Sequence, residues 1–187
     1  NGTVDIGVNI GAGLYQQSAG YLRCDQMRLG VGGSDASGRY ELTGGRLVSR
    51  YEYIGYGGTA EFIQSGTNTS NEVWETLTIG TNNYSGPSAS YVLTDGTLHG
   101  NIEIKHGSFE QNGGRSVVDV GTLEGGHYTL NAGRLAATRL TTWRFIQNGG
   151  SNTVSDVLSI PYDFEHAMNA ATYTLNDGKL VSSKREI

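Results

Sequence analysis

The sequence predicts an all-β protein in which residues 1–187 form a single domain, a parallel β-solenoid (β-helix) of about eight coils. Two observations predict this fold, a repeated aromatic segment and a second strand pattern between the repeats. Eight segments have the form aromatic-x-(Gln or Leu)-(Ser/Thr/Asn)-(Gly/Ala/Asp)-Gly, with one small residue replaced in one of them, FIQSGT from Phe62. Such self-similarity is typical of stacked repeats. The aromatic residues that open the segments are Tyr15, Tyr40, Phe62, Tyr91, Phe109, Tyr128, Phe145 and Tyr173.

The segments alternate in type along the chain. The third position is Gln in the odd segments and Leu in the even ones, so the deeper repeat is a pair of segments. The residues at this position are Gln17, Leu42, Gln64, Leu93, Gln111, Leu130, Gln147 and Leu175.

A second strand pattern, apolar-x-apolar-Gly in its cleaner forms, follows the first seven aromatic segments, and VDIG from Val4 precedes the first one. Successive aromatic starts are 17 to 29 residues apart. Two or three short strands in a unit of this length, without helical periodicity, suit one coil of a parallel β-solenoid. The pattern begins at Met27, Glu52, Leu77, Ile102 and Val118, with weaker copies at Leu140 and Leu158.

Alternation within a segment predicts which side chains face the core. Period 2 places Tyr40 and Leu42 on one face and Glu41 on the other. Stacking of like positions then predicts an aromatic ladder, an apolar ladder and a column of glutamines, in a solenoid about 40 Å long at about 4.8 Å per coil. At the corners we expect asparagine either to adopt positive φ or to hydrogen-bond the turn backbone. The corner asparagines are Asn112, Asn131, Asn148 and Asn176.

A β-propeller is the main competing fold. It is disfavoured because a blade needs four antiparallel strands in 40 to 50 residues, joined by tight turns that the sequence does not show. Two insertions, Gly80–Ser90 and Pro161–Thr172, are predicted to be loops on one side of the stack.

Composition excludes several classes of protein. Thirteen Lys and Arg against 18 Asp and Glu give a net charge of -5 without a basic run, so nucleic acid is not expected as a partner. The 29 glycines indicate many turns, while 36% hydrophobic residues and 11 tyrosines indicate a folded chain. No membrane span or signal peptide is predicted, and we expect a mature or excised chain. The single Cys24 is predicted to be a packed thiol.

Catalytic chemistry has little support in the sequence. Aligning the second strands would stack Glu103 and Asp119 on adjacent coils about 5 Å apart, the nearest approach to an acid pair. Solvated carboxylates are the preferred interpretation, so no catalytic, metal or cofactor-binding residue is assigned and an enzyme is not expected. The glycines show no nucleotide-binding spacing. The histidines share no spacing either and are interpreted as surface residues; they are His99, His106, His127 and His166.

Two groups of residues are candidates for surface function. Asn-x-Ser/Thr triplets make three asparagines possible glycosylation sites, namely Asn1, Asn68 and Asn83. Aromatic side chains in or near the irregular connections could stack on sugars, which makes glycans a second candidate partner. These aromatic residues are Trp74, Tyr84, Trp143 and Tyr162.

The phrases FIQSGTNT, LTIG and YVLTDGTL, and later FIQNGGSNTVSDVLSI and YTLNDGKL, resemble the Gly-rich β-strand repeats of secreted bacterial proteins of the autotransporter-passenger and PEP-CTERM-associated kind. The resemblance covers nearly the whole chain. It implies a right-handed solenoid, an extracellular or cell-surface location, and a structural or adhesive role. We expect neither a β-barrel translocator nor a C-terminal sorting segment from this sequence, which is a departure from the pattern of these proteins.

The function predicted from these features is that of an extracellular structural repeat protein. We expect a subunit or segment of a surface filament, stalk or fibril, because both terminal coils look like interior coils and can pair with each other. Head-to-tail self-association, or continuation into further repeats, is therefore expected, whereas lateral trimerisation lacks a heptad or apolar stripe. An adhesin or carbohydrate-binding β-helix is the alternative, and a polysaccharide lyase or hydrolase is less favoured.

Overall fold

A computed structural model describes residues 2–81, 88–161 and 171–186. These residues form the predicted parallel β-solenoid, built from 18 strands in two sheets. All pairings between these strands are parallel and join one coil to the next, which excludes the antiparallel blades of a propeller. No helix occurs among the described residues.

The first sheet, sheet A, contains ten strands. Apart from β3, which pairs with β6 alone, they follow one another in chain order along the sheet. The strands are β1 (Thr3–Val8), β3 (Tyr21–Arg23), β4 (Gln26–Val31), β6 (Arg46–Ile54), β8 (Ser70–Ile79), β10 (Thr97–Ile104), β12 (Arg115–Leu123), β14 (Arg134–Thr142), β16 (Ser151–Ser159) and β18 (Lys179–Glu186).

The second sheet, sheet B, contains eight strands, one from each aromatic segment, again in chain order. We number the coils 1 to 8 by these strands and call them Gln-type or Leu-type after the third residue of the segment. The strands are β2 (Ala12–Gln17), β5 (Ser37–Leu42), β7 (Thr59–Gln64), β9 (Ala89–Leu93), β11 (Gly107–Gln111), β13 (His127–Leu130), β15 (Arg144–Gln147) and β17 (Thr172–Leu175).

The strands of sheet A are longer than the sequence pattern predicts. In each coil the chain has two short stretches after the aromatic segment: the residues that follow the glycine turn, and then the second strand pattern. From β6 onward, these two stretches form one continuous strand of 8 to 10 residues. A register shift near the middle of most of these strands marks the junction, for example between Ser49 and Tyr51. In coil 1 the two parts remain separate, as β3 and β4, with Cys24 and Asp25 between them.

The predicted register of the second strands is confirmed for most coils and wrong for one. Met27, Glu52, Leu77 and Ile102 pair in sequence, as their shared pattern predicts. The partner of Ile102 is Gly121, however, and Val118 of the similar phrase VDVG does not take that place. Gly121 lacks a side chain, and a methyl group of Leu140 occupies the space beside it, 3.0 Å from where a Cβ would lie. A neighbouring coil therefore compensates for the missing apolar side chain.

The aromatic ladder is confirmed along all eight coils. Ring centroids of successive residues lie 4.5 to 5.1 Å apart and the planes are within 18° of parallel. The six rings from Tyr40 to Phe145 are buried, whereas Tyr15 at the first coil is 39% exposed. Stacked rings at this spacing contribute dispersion and quadrupole energy in addition to the area that they bury.

The alternation of coil types has a hydrogen-bonding cause. Gln and Leu share one column beside the ladder, buried except at Leu175 in the last coil, and they are paired in register, as in Gln111 with Leu130. The Gln111 Oε1 atom accepts a hydrogen bond of 2.6 Å from the Tyr128 hydroxyl of the next coil. Its Nε2 atom donates to the carbonyl oxygens of Gly113 in its own turn (3.0 Å) and Arg134 in the next coil (3.1 Å). One buried amide thus joins a Gln-type coil to the Leu-type coil that follows.

The same arrangement recurs in the other three coil pairs. Each tyrosine of a Leu-type coil donates to the glutamine of the preceding Gln-type coil; the pairs are Tyr40–Gln17, Tyr91–Gln64 and Tyr173–Gln147. Within coils 3 to 8, the Gln-type coils carry phenylalanine in the ladder because no such acceptor faces their rings. In coil 1, Tyr15 takes that place at the exposed end of the stack.

A second polar residue contacts each of the three later tyrosine hydroxyls. Asn71 and Asn152 each donate an amide hydrogen, at 3.2 and 3.0 Å respectively, while the Ser116 Oγ atom lies 3.4 Å from the Tyr128 hydroxyl. These residues come from the sheet A strand of the preceding Gln-type coil, where Leu-type coils have leucine. The buried hydroxyls are therefore fully committed within the stack, as buried polar groups require.

The predicted role of the corner asparagines is wrong in detail. The described residues include one non-glycine with positive φ, Asn9, and it is not a corner asparagine. The following glycine adopts the left-handed conformation in its place; at Gly133 φ is 83°, and a Cβ would lie 2.5 Å from the Gly113 carbonyl oxygen. The asparagine side chains bond to each other from coil to coil, at 2.7 to 2.8 Å; the pairs are Asn131–Asn112, Asn148–Asn131 and Asn176–Asn148.

We predict that Gln111→Leu lowers the free energy of unfolding by about 2 to 3 kcal/mol, because it removes the closest acceptor of the buried Tyr128 hydroxyl and the amide donor of the turn carbonyl groups. Leucine fits the column, since the Leu-type coils have it there. Urea unfolding followed by circular dichroism measures the loss. In a Tyr128→Phe background the same change is expected to cost at least about 1 kcal/mol less. An equal cost in both backgrounds would show that the hydroxyl–amide bond does not couple the coils.

Candidate functional site

Strand β6 differs from its neighbours on both faces. On the outer face it presents Tyr51 and Tyr53, which pair in register with Thr76 and Thr78 of β8. On the inner face Glu52 takes a position in a column that Met27, Leu77 and Ile102 otherwise fill. The short segment from Tyr51 to Tyr53 therefore carries an outward aromatic pair and an inward carboxyl group.

A groove lies on the outer face of sheet A beside the tyrosines. It has a volume of about 540 Å³ and is lined by residues from three consecutive coils. This volume is within the range of small-molecule binding sites, about 300 to 1,000 Å³. The lining residues are Tyr51, Tyr53, Tyr56, Thr76, Thr78, Thr81, Glu103 and Lys105.

Neighbouring side chains hold the tyrosines of the groove in place. The Tyr51 and Tyr53 rings are stacked with centroids 6.3 Å apart, and Tyr56 meets Tyr53 edge to face at 5.4 Å. The Arg28 guanidinium lies 5.2 Å from the Tyr56 centroid and is fixed by two hydrogen bonds, of 2.7 and 2.6 Å, to the Asp5 carboxylate. These contacts pre-organise an aromatic wall.

The opposite wall of the groove is polar. Lys105 Nζ lies 3.4 Å from Glu103 Oε1, and the Thr78 hydroxyl lies 3.4 Å from Glu103 Oε2. Both side chains are partly exposed, so the pair contributes little to folding stability and remains open to solvent. The groove therefore combines aromatic surface with hydrogen-bond donors and acceptors of balanced charge.

Glu52 lies on the other side of the same strand, buried in the core. Its carboxyl oxygens accept hydrogen bonds from Ser49 Oγ (3.0 Å) and Asn71 Nδ2 (2.9 Å). Burial raises the pKa of Glu52 to about 7, although these two hydrogen bonds oppose the shift. The titratable groups that interact with Glu52 are the Cys24 thiol and the hydroxyls of Tyr40 and Tyr91.

The surroundings of Glu52 do not form a reactive centre. Burial, helped by the charges of Glu52 and Asp25, raises the pKa of the Cys24 thiol to about 12, so Cys24 stays protonated and packed. Cys24 is 4% exposed, in agreement with the prediction of a packed thiol. No group of three or more His, Cys, Asp or Glu residues in the described part of the chain could hold a metal ion. Glu52 is best described as a buried titratable group.

The structure does not bring the predicted ligand-contact aromatics together. Trp74 is exposed on β8, where its Nε1 donates to Glu72 (2.9 Å) and its ring packs 4.7 Å from the Arg23 guanidinium. Trp143 is half-buried directly after β14, three strands along sheet A. Tyr84 and Tyr162 lie outside the described residues. The two tryptophans therefore do not form one binding platform.

Among the candidate glycosylation sites, Asn68 is exposed in the turn before β8, where a glycan would reach solvent. Asn1 and Asn83 lie outside the described residues. Glycosylation at any of the three stays a prediction.

The acid pair nominated from the sequence is not formed. Glu103 pairs with Thr122, and Asp119 lies exposed in the segment where the register between β10 and β12 shifts. The prediction was wrong because it used the VDVG phrase to set the register. The described histidines lie on different elements, His99 within β10, His106 after it and His127 at the start of β13. His166 lies outside the described residues.

Comparisons of the chain with family models, with curated proteins and with solved structures found no match. Within the three described ranges, no helix has the length and apolar character needed to cross a membrane. Function therefore has to be argued from the geometry of the coils and of their surfaces.

Sequence reasoning missed the groove and Glu52, although a signal for each was present. EYIG places Glu where MRLG and LTIG have apolar residues, and RYEYIGY concentrates three tyrosines in one coil. The concavity itself could not be predicted, because it depends on which residues of the next two coils lie beside the tyrosines.

We predict that stability falls as the pH rises from about 4.5 to about 7, because the unfolded state ionises Glu52 over this range while the folded state keeps it protonated. Full ionisation costs about 3 kcal/mol, estimated from the shift between these pKa values. Glu52→Gln is expected to remove most of this dependence and to be more stable than the wild type above pH 7. Urea unfolding between pH 4 and pH 8 tests this.

Glu124→Gln is the matched control, because Glu124 is exposed and its replacement should leave the pH dependence unchanged. If Glu52→Gln shows the wild-type slope between pH 4.5 and pH 7, Glu52 does not cause the loss of stability.

Proposed function

We propose that this chain is an extracellular structural repeat protein, a subunit or segment of a surface filament, stalk or fibre. In this proposal its coils stack end to end with further coils, which belong either to another copy or to adjoining repeats.

The observation that supports this proposal is the position of exposed apolar side chains. Among the described residues, ten large hydrophobic side chains are exposed, and seven of them lie at the two ends of the stack. These seven belong to β1 and the turn after it, to coil 1 or to coil 8. The end strands also have a neighbour on one side only, so their other edge has unpaired backbone groups. The seven residues are Val8, Ile10, Leu14, Tyr15, Tyr21, Leu175 and Val181.

The alternation of coil types favours head-to-tail stacking. Coil 8 is Leu-type and coil 1 is Gln-type, so joining these two ends continues the alternation without interruption. Tyr173 would then stack on Tyr15, and both sheets would continue in parallel. Joining two like ends would reverse the strand direction at the junction. Head-to-tail contacts are heterologous and do not close, which favours an extended assembly.

The pair nominated for polysaccharide cleavage, Glu103 and Asp119, is not stacked by the register, since Glu103 pairs with Thr122. The extracellular location is proposed from the resemblance of the repeats to those of secreted bacterial proteins.

Adhesion to carbohydrate is a second candidate function, favoured by the aromatic groove on the side of the solenoid. Such a groove would remain accessible in an end-to-end filament, because it faces outward from sheet A.

We predict that the purified chain associates in a concentration-dependent manner into particles of constant width, because its end coils expose apolar side chains and strand edges. Leu175→Lys should weaken this association at least about tenfold, since it places an unpaired charge in the junction. Sedimentation velocity and negative-stain imaging measure the effect, and aligned fibres should show a reflection at about 4.8 Å along their axis.

Val120→Lys is the matched control. Val120 is similarly exposed, 43% against 48% for Leu175, but lies on the side of the solenoid. A chain that stays monomeric at high concentration, or that loses association equally in both variants, would contradict end-to-end stacking.

A further inference from the structure

The outer face of sheet A contains a concave site whose shape follows from the register of three strands. Tyr53 of β6, Thr78 of β8 and Glu103 of β10 occupy one outward column on consecutive coils. A large side chain, a small one and a long polar one in succession produce two walls with a lower floor between them. The walls are two strand spacings apart, about 10 Å.

The chemistry of the two walls is different and complementary. One wall presents the faces and edges of Tyr51, Tyr53 and Tyr56, which suit flat apolar surfaces. The other presents the Glu103 carboxylate and the Lys105 ammonium group, an acceptor and a donor of opposite charge. The threonine hydroxyls of the floor both donate and accept hydrogen bonds.

We propose that this groove binds a neutral oligosaccharide of pyranose units. A pyranose ring has C–H groups on its faces and hydroxyl groups around its edge, so it can stack on tyrosine while its edge bonds Glu103 and Lys105. The balanced charge of the lining favours a neutral ligand over a polyanion. This inference deepens the second candidate function and does not depend on filament formation.

A proline-rich peptide is the main rival occupant, because aromatic grooves also bind polyproline helices. Such a peptide offers no side-chain donor or acceptor to Glu103 and Lys105, so these groups would lose hydrogen bonds to water without replacement, at a cost in affinity. The polar wall therefore favours the saccharide.

Contacts with neighbouring side chains hold the tyrosine wall in place without a ligand. Tyr56 packs between Tyr53 and Arg28, and Arg28 is fixed by Asp5 on β1, the strand before it in sheet A. A second cation, Arg50, lies 5.2 Å from the Tyr51 ring. Rigid aromatic groups lose little conformational entropy on binding, which makes them effective contact surfaces.

The test is isothermal titration calorimetry of the full chain with three neutral saccharides, cellohexaose, laminarihexaose and mannohexaose. Octaproline and a sulfated heparin oligosaccharide are titrated as representatives of the competing ligand classes, proline-rich peptides and polyanions. We expect at least one neutral hexaose to bind and neither rival to do so. Tyr53→Ala should weaken binding at least about tenfold, whereas Tyr53→Phe, which retains the ring, should change it less than about threefold. Glu103→Gln on the opposite wall should weaken it several-fold, which checks the site through a change that removes no packing.

Trp74→Ala is the matched control, because Trp74 is an exposed aromatic residue outside the groove lining. It should leave the affinity unchanged. Binding of no neutral hexaose, preferential binding of octaproline or heparin, or a loss with Trp74→Ala but not with Tyr53→Ala would overturn the proposal. Sedimentation of the same variants reports on filament formation separately, so failure of one proposal is distinguishable from failure of the other.

Discussion

The hydrogen bond between a buried glutamine and the tyrosine of the following coil is the interaction on which the regularity of this solenoid depends. The glutamine also bonds carbonyl groups of its own turn and of the next coil, so one side chain fixes the position of two coils. The aromatic ladder is kept in register by these amides, because each tyrosine ring has a hydroxyl group that must meet its acceptor. Aromatic stacking holds successive coils together, and the hydrogen bonds of the glutamine amide fix their relative position.

The sequence was sufficient to predict the coil because its signals are local. Alternation within YELTGG placed Tyr40 and Leu42 inside, and both are fully buried. The repeat of Gln and Leu predicted the coil pair, although it did not reveal that Gln111 bonds Tyr128 on the next coil. Features that depend on the neighbouring coil were harder to predict. Gly121 takes an inward position because Leu140 of the next coil fills the space, and the phrase VDVG therefore gave the wrong register.

The candidate site also has some features that the local sequence predicts and others that depend on neighbouring strands. Alternation along one strand is enough to place Tyr51 and Tyr53 on the outer face and Glu52 on the inner face. The groove beside the tyrosines, in contrast, exists because Thr78 and Glu103 lie next to them on the following two strands. In a regular solenoid such variation has little effect on folding stability, because a substitution of an outward residue on one coil leaves the buried columns unchanged. Function on a solenoid can therefore be placed on its sides while the core stays repetitive.

The pairing of coils also restricts how a protein of this kind can change its length. Removing one coil from the interior would bring together two coils of the same type. Two adjacent Leu-type coils would bury a tyrosine hydroxyl without an acceptor, and two adjacent Gln-type coils would leave one amide without its tyrosine. Removing two coils restores every contact. Duplication, deletion and engineered extension should thus proceed in even numbers of coils, and a spacer made from this chain would change in steps of about 10 Å.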